Sequence, residues 1–117
     1  MLLTSFAVGL TKTDLYTAEQ NELAEIHKAL GHPARVAIIQ QLLAVDCCIC
    51  GDFAREIALA QPTISKHLQI LKGIGIIRGT IEGTSMSYCI DPRRWRDIQT
   101  RLNQLFDTYA SDQDCAC

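Results

Sequence analysis

The sequence predicts a mainly α-helical fold with one small β-hairpin, and three observations support this prediction. Apolar residues recur every three or four positions in several stretches, which is typical of helices that bury one face. Two short β-prone runs, 76–81 and 86–90, flank the turn-forming segment 82–85 and predict a hairpin. A chain of 117 residues is long enough for one domain with its own core. A helix-turn-helix ahead of the hairpin would complete the order of a winged helix-turn-helix.

The first two helices have recognisable beginnings. Thr17 and Gln20 have the spacing of a capping box, in which each side chain bonds the backbone N–H of the other residue. Gly31 ends this helix, and Pro33 opens the next one, where the missing N–H of proline leaves no hydrogen bond unmade. The buried faces are predicted to contain Leu23, Ile26 and Leu30 in the first helix, and Val36, Ile39, Leu42 and Leu43 in the second.

The middle of the chain predicts the helix-turn-helix itself. A short helix over 51–58 precedes the turn 59–61, and Pro62 starts a longer helix that stops at Gly73. In this longer helix Ile64, Leu68 and Leu71 fall within one narrow arc and should face inward. The polar residues around them are the predicted DNA contacts: Gln61, Thr63, Ser65, Lys66, His67 and Gln69.

These polar side chains have the chemistry that bases and phosphates require. Glutamine bonds adenine through two atoms, serine and threonine bond several bases, and lysine binds the phosphate backbone. The alternative is an ordinary solvated helix face, but the proline start, the glycine stop and the following hairpin favour DNA binding. His67 lies near the buried arc, so its alternative role is to brace the helix.

The charge distribution agrees with a local DNA-binding face on an acidic body. The net charge is −2, which by itself does not indicate a nucleic-acid-binding protein. Between positions 53 and 78, however, four basic residues accompany one acid, Glu56. The excess acid lies in the first helix and near the C-terminus.

A last helix is predicted from Asp91-Pro92 onward, and its apolar stripe is long for one small core. The stripe consists of Trp95, Ile98, Leu102, Leu105, Phe106 and Tyr109. We expect a homodimer through this helix and the first one, because two recognition helices need a two-fold axis to meet a palindromic site on double-stranded DNA.

Six cysteines in so short a chain would suit a secreted disulfide scaffold, but their placement argues against one. Five lie in two tight clusters, which are Cys47, Cys48 and Cys50, and Cys115 and Cys117. Clustered thiols in a cytosolic context indicate a metal or redox site. The remaining one, Cys89, is expected to be a small buried residue on a wing strand.

The spacing within the first cluster leaves two possible chelating pairs. On a helix Cys47 and Cys50 would share a face, whereas in an extended segment Cys48 and Cys50 would share a side. Gly51-Asp52 resembles a helix opening, which favours an extended lead-in and the Cys48/Cys50 pair. A helix N-terminus also favours the thiolate form that binds metals. Cys47, Cys115 or Cys117 would supply a third ligand.

The two termini are predicted to be separate from the main domain. Residues 1–16 form an arm or accessory helix, 17–110 form the DNA-binding and dimerisation domain, and 111–117 form a cysteine-containing tail. The apolar stretch 2–10 lacks the basic start and the cleavage pattern of a signal peptide. No stretch approaches the roughly 20 apolar residues that span a bilayer. We therefore expect a cytoplasmic protein with no membrane partner.

Three segments carry specific motifs, namely 30–35 (Leu-Gly-His-Pro-Ala-Arg), 61–72 (Gln-Pro-Thr-Ile-Ser-Lys-His-Leu-Gln-Ile-Leu-Lys) and 75–77 (Gly-Ile-Ile). Together they resemble the ArsR/SmtB family of bacterial metal-responsive repressors, and the likeness extends over most of the chain. The Cys48-x-Cys50 pair resembles that family's thiol site. The resemblance implies a repressor that leaves its operator when an inducer ion binds. The last helix lacks the spaced Asp and His ligands of the zinc-sensing members.

Ligand number decides which ion the thiols would suit. A trigonal thiolate set suits As(III) or Sb(III), and a fourth ligand would suit Cd, Pb or Zn. An alternative function keeps the same fold but makes the signal oxidative, with the thiols forming a disulfide or persulfide. A thiol redox enzyme is not expected, because the chain shows no βαβ unit around a Cys-x-x-Cys motif.

Overall fold

The computed structural model describes residues 12–45, 48–50, 61–80 and 87–109. A short 3-10 helix (Lys12–Leu15) leads into α1 (Ala18–Leu30), α2 (Pro33–Val45), β1 (Ile49–Cys50), α3 (Gln61–Gly73), β2 (Ile77–Thr80), β3 (Ser87–Ile90) and α4 (Pro92–Asp107). These elements confirm the predicted winged helix-turn-helix. The predicted helix over 51–58, the turn over 82–85 and the tail lie outside the described residues.

Three of the helices begin at side chains that bond their first free N–H groups. The Thr17 hydroxyl accepts a hydrogen bond from the Gln20 amide at 3.0 Å, and Gln20 Oε1 accepts one from the Thr17 amide at 2.9 Å. His32 Nδ1 accepts from the Ala34 amide at the start of α2, at 3.0 Å. Asp91 caps α4 through the amides of the two following arginines. The predicted capping box is confirmed, and each such cap contributes about 1 kcal/mol.

The core lies where α1, α2, α3 and α4 meet the sheet. Its buried residues are Ile26, Ile38, Ile39, Leu42, Ile64, Leu68, Leu71, Ile76, Ile77, Tyr88 and Ile98. Ile64, Leu68 and Leu71 are fully buried, which confirms the inward arc predicted for the recognition helix, α3. The position of α3 is therefore fixed by its apolar face.

The buried face of α2 differs from the prediction at three positions. Val36 and Leu43 are 43% and 51% exposed, whereas Ile38, which was not predicted, is fully buried. The segment Val36 to Val45 is apolar on almost every side. Its periodicity therefore cannot select a face, and packing against the other elements decides which residues are covered.

The sheet has three antiparallel strands in the order β1-β3-β2, one more than the predicted hairpin. β2 and β3 pair from Ile77 opposite Ile90 to Thr80 opposite Ser87, which confirms the strands of the wing. Gly79 lies at φ +129°, and a Cβ there would be 2.0 Å from the Ser87 carbonyl oxygen. The close approach of the two wing strands thus requires glycine at this position.

Ion pairs hold α1 beside α4. Glu22 accepts from Arg94 at 3.2 Å and from Arg101 at 2.8 Å, and Asp97 contacts the same two arginines. The hydrogen bond from Arg94 is the main cause that lowers the pKa of Asp97. The two helices consequently form one continuous surface. None of the described helices combines the length and apolar character needed to cross a membrane.

Candidate DNA interface and thiol site

The recognition helix α3 presents a polar face to solvent. Thr63, Lys66 and Gln69 are exposed, Ser65 is half-buried, and Gln61 is the first residue of the helix. The opposite side of α3 is the buried arc of the core. The polar residues predicted for DNA contact, apart from His67, therefore belong to a helix anchored by its other face, as major-groove binding requires.

The surface around α3 is basic. Positions 61–80 contain Lys66, Lys72 and Arg78 and no acidic residue. Lys72 Nζ donates a hydrogen bond to the Gly79 carbonyl oxygen at 2.7 Å, which links the end of α3 to the wing. In the sequence Lys72 counts only as one of four basic residues in this region, because nothing local to it indicates its partner in β2. Lys66 and Arg78 remain exposed, with no ion pair to the described residues.

His67 is held within the protein. The Arg35 guanidinium lies 3.0 Å from His67 Nδ1, and the His32 ring is 4.5 Å from the His67 ring, centroid to centroid. Arg35 also donates to the carbonyl oxygens of Lys28 and Ala29 at the end of α1. The segment 30–35 thus connects α1 and α2 to the recognition helix. This arrangement supports the bracing role that was the alternative for His67.

We expect protonation of His67 to weaken the fold. Burial, and then the nearby His32 and Arg35, lower the pKa of His67 below its usual 6.5. The unfolded chain therefore binds the proton more readily than the folded protein. This contribution to stability is complete above pH 6.5 and is lost as the pH falls through the lower folded pKa.

Urea unfolding at several pH values measures this effect. In the wild type the free energy of unfolding should fall on acidification below the usual histidine pKa of 6.5. The variant His67→Asn retains an acceptor near Arg35 but does not titrate, so its unfolding free energy should fall less over the same range. Identical pH dependence in the two proteins would contradict the expectation.

The thiol site contains a bond that the sequence analysis did not predict. Cys48 is exposed, and its sulfur is bonded to that of Cys89 on β3, with the two Cα atoms 4.3 Å apart. The expectation that Cys89 is only a small buried residue was therefore wrong. The bond was not predicted because β1 was not predicted to be a strand. Two extended residues are too few to show the period-two pattern by which a strand is identified.

The other predicted ligands are placed less fully. Cys50 lies on β1 opposite Ser87, which confirms an extended backbone in the lead-in. Cys47, Cys115 and Cys117 lie outside the described residues. Within the part of the chain that the structure describes, no three metal-ligating side chains form a cluster. The whole ligand set, Cys48 included, thus remains a prediction.

An open cavity of about 370 Å³ adjoins the disulfide. Both cysteines line it, together with Trp95, Arg78 and Arg96. Its described lining contains no acidic side chain. The pocket is therefore suited to small anionic or polar reagents that approach the sulfur atoms.

An apolar patch lies at the C-terminal end of α4. Leu105, Phe106 and Tyr109 are 50%, 68% and 80% exposed. Large apolar side chains that stay uncovered side by side typically mark a protein contact. The last-helix stripe thus extends beyond the core of one chain, as the sequence analysis expected.

Comparison with known proteins identifies the family. A helix-turn-helix domain model matches residues 30–80. An uncharacterized HTH-type transcriptional regulator of Methanocaldococcus jannaschii is 42% identical over 84 residues, which are 70% of this chain and 92% of that protein. The cadmium resistance transcriptional regulatory protein CadC homolog of Staphylococcus aureus is 35% identical over 92 residues, 78% of this chain and 75% of that protein.

A solved structure has the same fold. It is an ArsR-like transcriptional regulator from Rhodococcus sp. RHA1, with a TM-score of 0.58 and 20% identity over 79% of this chain and 86% of that one. These proteins are transcriptional regulators, not enzymes. The winged helix-turn-helix, the polar face of α3 and the similarity over most of the chain show that this protein belongs to the ArsR/SmtB family of transcriptional regulators.

Proposed function

We propose that this protein is a homodimeric repressor that leaves its operator when a thiophilic ion binds at Cys48 and Cys50. The observation that carries the proposal is the position of β1. The segment 48–50 directly precedes the helix-turn-helix in sequence, and β1 pairs with wing strand β3. An ion bound there acts on both DNA-facing parts of the fold. The name of the cadmium resistance relative supports a soft ion as the signal.

The ligand chemistry favours a metalloid. Cys48 and Cys50 supply two thiolates, and Cys47, Cys115 or Cys117 supplies a third, the last two from either chain of the dimer. Three thiolates in a trigonal arrangement suit arsenite or antimonite, whereas a fourth ligand would suit cadmium, lead or zinc.

Release requires that the ion bind more tightly to a form with low DNA affinity. A coupling free energy of about 1–3 kcal/mol is typical of such linked equilibria. A shift of β1 against β3 re-aims α3, because Lys72 joins the end of that helix to β2 of the same sheet. The protein acts in the cytoplasm, where reduced thiols are available for the ion.

An ion titration on DNA tests this function. The reduced protein is bound to a labelled fragment of the promoter upstream of its own gene, and arsenite, antimonite, cadmium, lead and zinc are added separately. Arsenite or antimonite should release the fragment at the lowest concentration. Retention of the fragment in the presence of every ion would contradict the proposal.

Replacing Lys66 by alanine is expected to weaken DNA binding across all sequences. Lysine in this position neutralises a phosphate, so the slope of log affinity against log salt should fall by about one per subunit. Replacing Ser65 or Gln61 should instead relax base preference, since these side chains bond base edges. Salt titrations on operator and random DNA measure both effects. Wild-type binding by all three variants would exclude α3 as the DNA-reading helix.

A further inference from the structure

We propose that Cys48 and Cys89 form a reversible redox pair, and that oxidation removes Cys48 from the ion site. The proposed redox pair concerns only the two sulfur atoms. The proposed loss of Cys48 from the ion site rests on the proposed function, because it assumes that Cys48 is a ligand. Oxidation is then an input that prevents the response to the ion.

The register of the sheet selects this pair. Ile49 lies opposite Tyr88, so Cys48 and Cys89 are the next residues across the two strands. Their Cα separation of 4.3 Å is that of directly opposed residues in a pair without backbone hydrogen bonds, where side chains approach most closely. Cys50 is opposite Ser87 instead. Cys89 is thus matched to Cys48 by the backbone, before any bond forms.

The surroundings favour reaction at these sulfur atoms. Cys48 is exposed, and both cysteines line the open cavity that also contains Arg78 and Arg96. The thiolate is the reactive form of cysteine, and the open cavity admits a small oxidant to both sulfur-bearing residues. Exposed disulfides are also the ones that small thiols reduce readily. The site therefore has the access and the geometry for both directions of the reaction.

A peroxide supplies the oxidising equivalents. One thiolate attacks a peroxide oxygen, the O–O bond breaks, and a sulfenic acid and hydroxide form. The second thiolate attacks the sulfenic sulfur, the S–O bond breaks, and a second hydroxide leaves as the disulfide forms. The two sulfur atoms lose two electrons in total, and the thiol protons leave with the oxygens as two molecules of water. A small thiol restores both cysteines by thiol–disulfide exchange.

The bond changes the connection between the lead-in and the wing. β1 has only two residues, and short strand pairs are weak. In the reduced protein this pairing joins the segment before the helix-turn-helix to β3 without a covalent bond. The disulfide adds a covalent link across a sequence separation of 41 residues. Oxidation thus fixes the same strands that the ion is proposed to move.

Peptide mapping tests the pair. Trypsin places Cys47, Cys48 and Cys50 in fragment 36–55, Cys89 in fragment 79–93, and the tail cysteines in fragment 102–117. The reduced protein is treated with stoichiometric hydrogen peroxide, alkylated and digested, and the linked fragments are sequenced by mass spectrometry. We expect 36–55 joined to 79–93 through Cys48, and loss of the link in a glutathione buffer. A predominant link elsewhere, or one that glutathione does not reduce, would overturn the proposal.

Two variants show whether the register determines the partner. Cys50→Ser should form the same link as the wild type, whereas Cys89→Ser should not. A double variant, Cys89→Ser with Ser87→Cys, moves the wing-strand thiol to the position opposite Cys50. Its link should then go to Cys50. A link that still goes to Cys48 would show that the register does not select the pair.

Ion binding tests the consequence separately. The cadmium affinity of reduced wild type, followed by the thiolate-to-cadmium charge-transfer absorption, should fall by about tenfold or more on oxidation and return with dithiothreitol. If the Cys48–Cys89 link forms but cadmium still binds fully, Cys48 is not a ligand and the blocking role fails. If reduced protein binds no ion while the link forms reversibly, the proposed ion response fails and the redox pair stands.

Discussion

In the reduced protein, replacing Cys48 or Cys50 by serine is expected to abolish the release of operator DNA by arsenite. The variants should fold, dimerise and bind the operator as the wild type does, because Cys48 is exposed and serine is close to cysteine in size. Serine is a hard, protonated ligand and does not replace a thiolate for a soft ion. Even the loss of a hydrogen-bond partner of a ligand lowers metal affinity by about 10–100-fold, so the loss of the ligand itself should cost more.

The measurement is operator occupancy against ion concentration, with reductant present throughout. Cys89→Ser is the matched control, since Cys89 serves in oxidation and the reduced variant should respond as the wild type does. A variant lacking both Cys115 and Cys117 tests whether the tail supplies a ligand. A full response of this variant to the ion would show that the tail is not a source of ligands. The main expectation fails if a Cys48/Cys50 double variant releases DNA at the wild-type ion concentration.

The helix boundaries could be predicted because their causes are local. The hydroxyl of Thr17 and the carboxylate of Asp91 bond amides two or three residues away, and Pro62 and Gly73 mark the two ends of α3. The inward-facing arc of α3 could be predicted because its apolar residues recur with the helical period of 3.6 residues and polar residues lie between them. Local rules therefore suffice for the DNA-reading element.

Longer-range features could not be predicted in the same way. The buried face of α2 depends on which neighbours cover it, since Ile38 and Leu43 are equally apolar. The bond between Cys48 and Cys89 depends on strand register, and the two residues are 41 positions apart in sequence. The contact of Arg35 with His67 is of the same kind. Each of these features arises from tertiary packing, and no local pattern in the sequence predicts it.

The sequence pattern at α4 predicted an apolar surface beyond the core, and we expect Leu105→Glu to convert the proposed dimer to a monomer. Leu105 is half-exposed and belongs to the apolar patch that also contains Phe106 and Tyr109. A carboxylate buried in an apolar interface without a partner is strongly unfavourable. Leu102 is less informative, because it packs against the core and a charge there would also destabilise the single chain.

Loss of the dimer should abolish specific DNA binding as well. A dimer places two copies of α3 on half-sites about one helical turn apart, whereas a monomer reaches only one of them. Binding should fall toward the non-specific level, by about a thousandfold or more.

The matched control is Asn103→Glu, which adds the same charge on the α2-facing side of the same helix. Circular dichroism checks the fold, X-ray scattering gives the oligomeric state, and fluorescence anisotropy gives the operator affinity. A wild type that is monomeric at micromolar concentration, or a Leu105→Glu protein that remains dimeric and bound to operator, would show that this face is not the dimer interface.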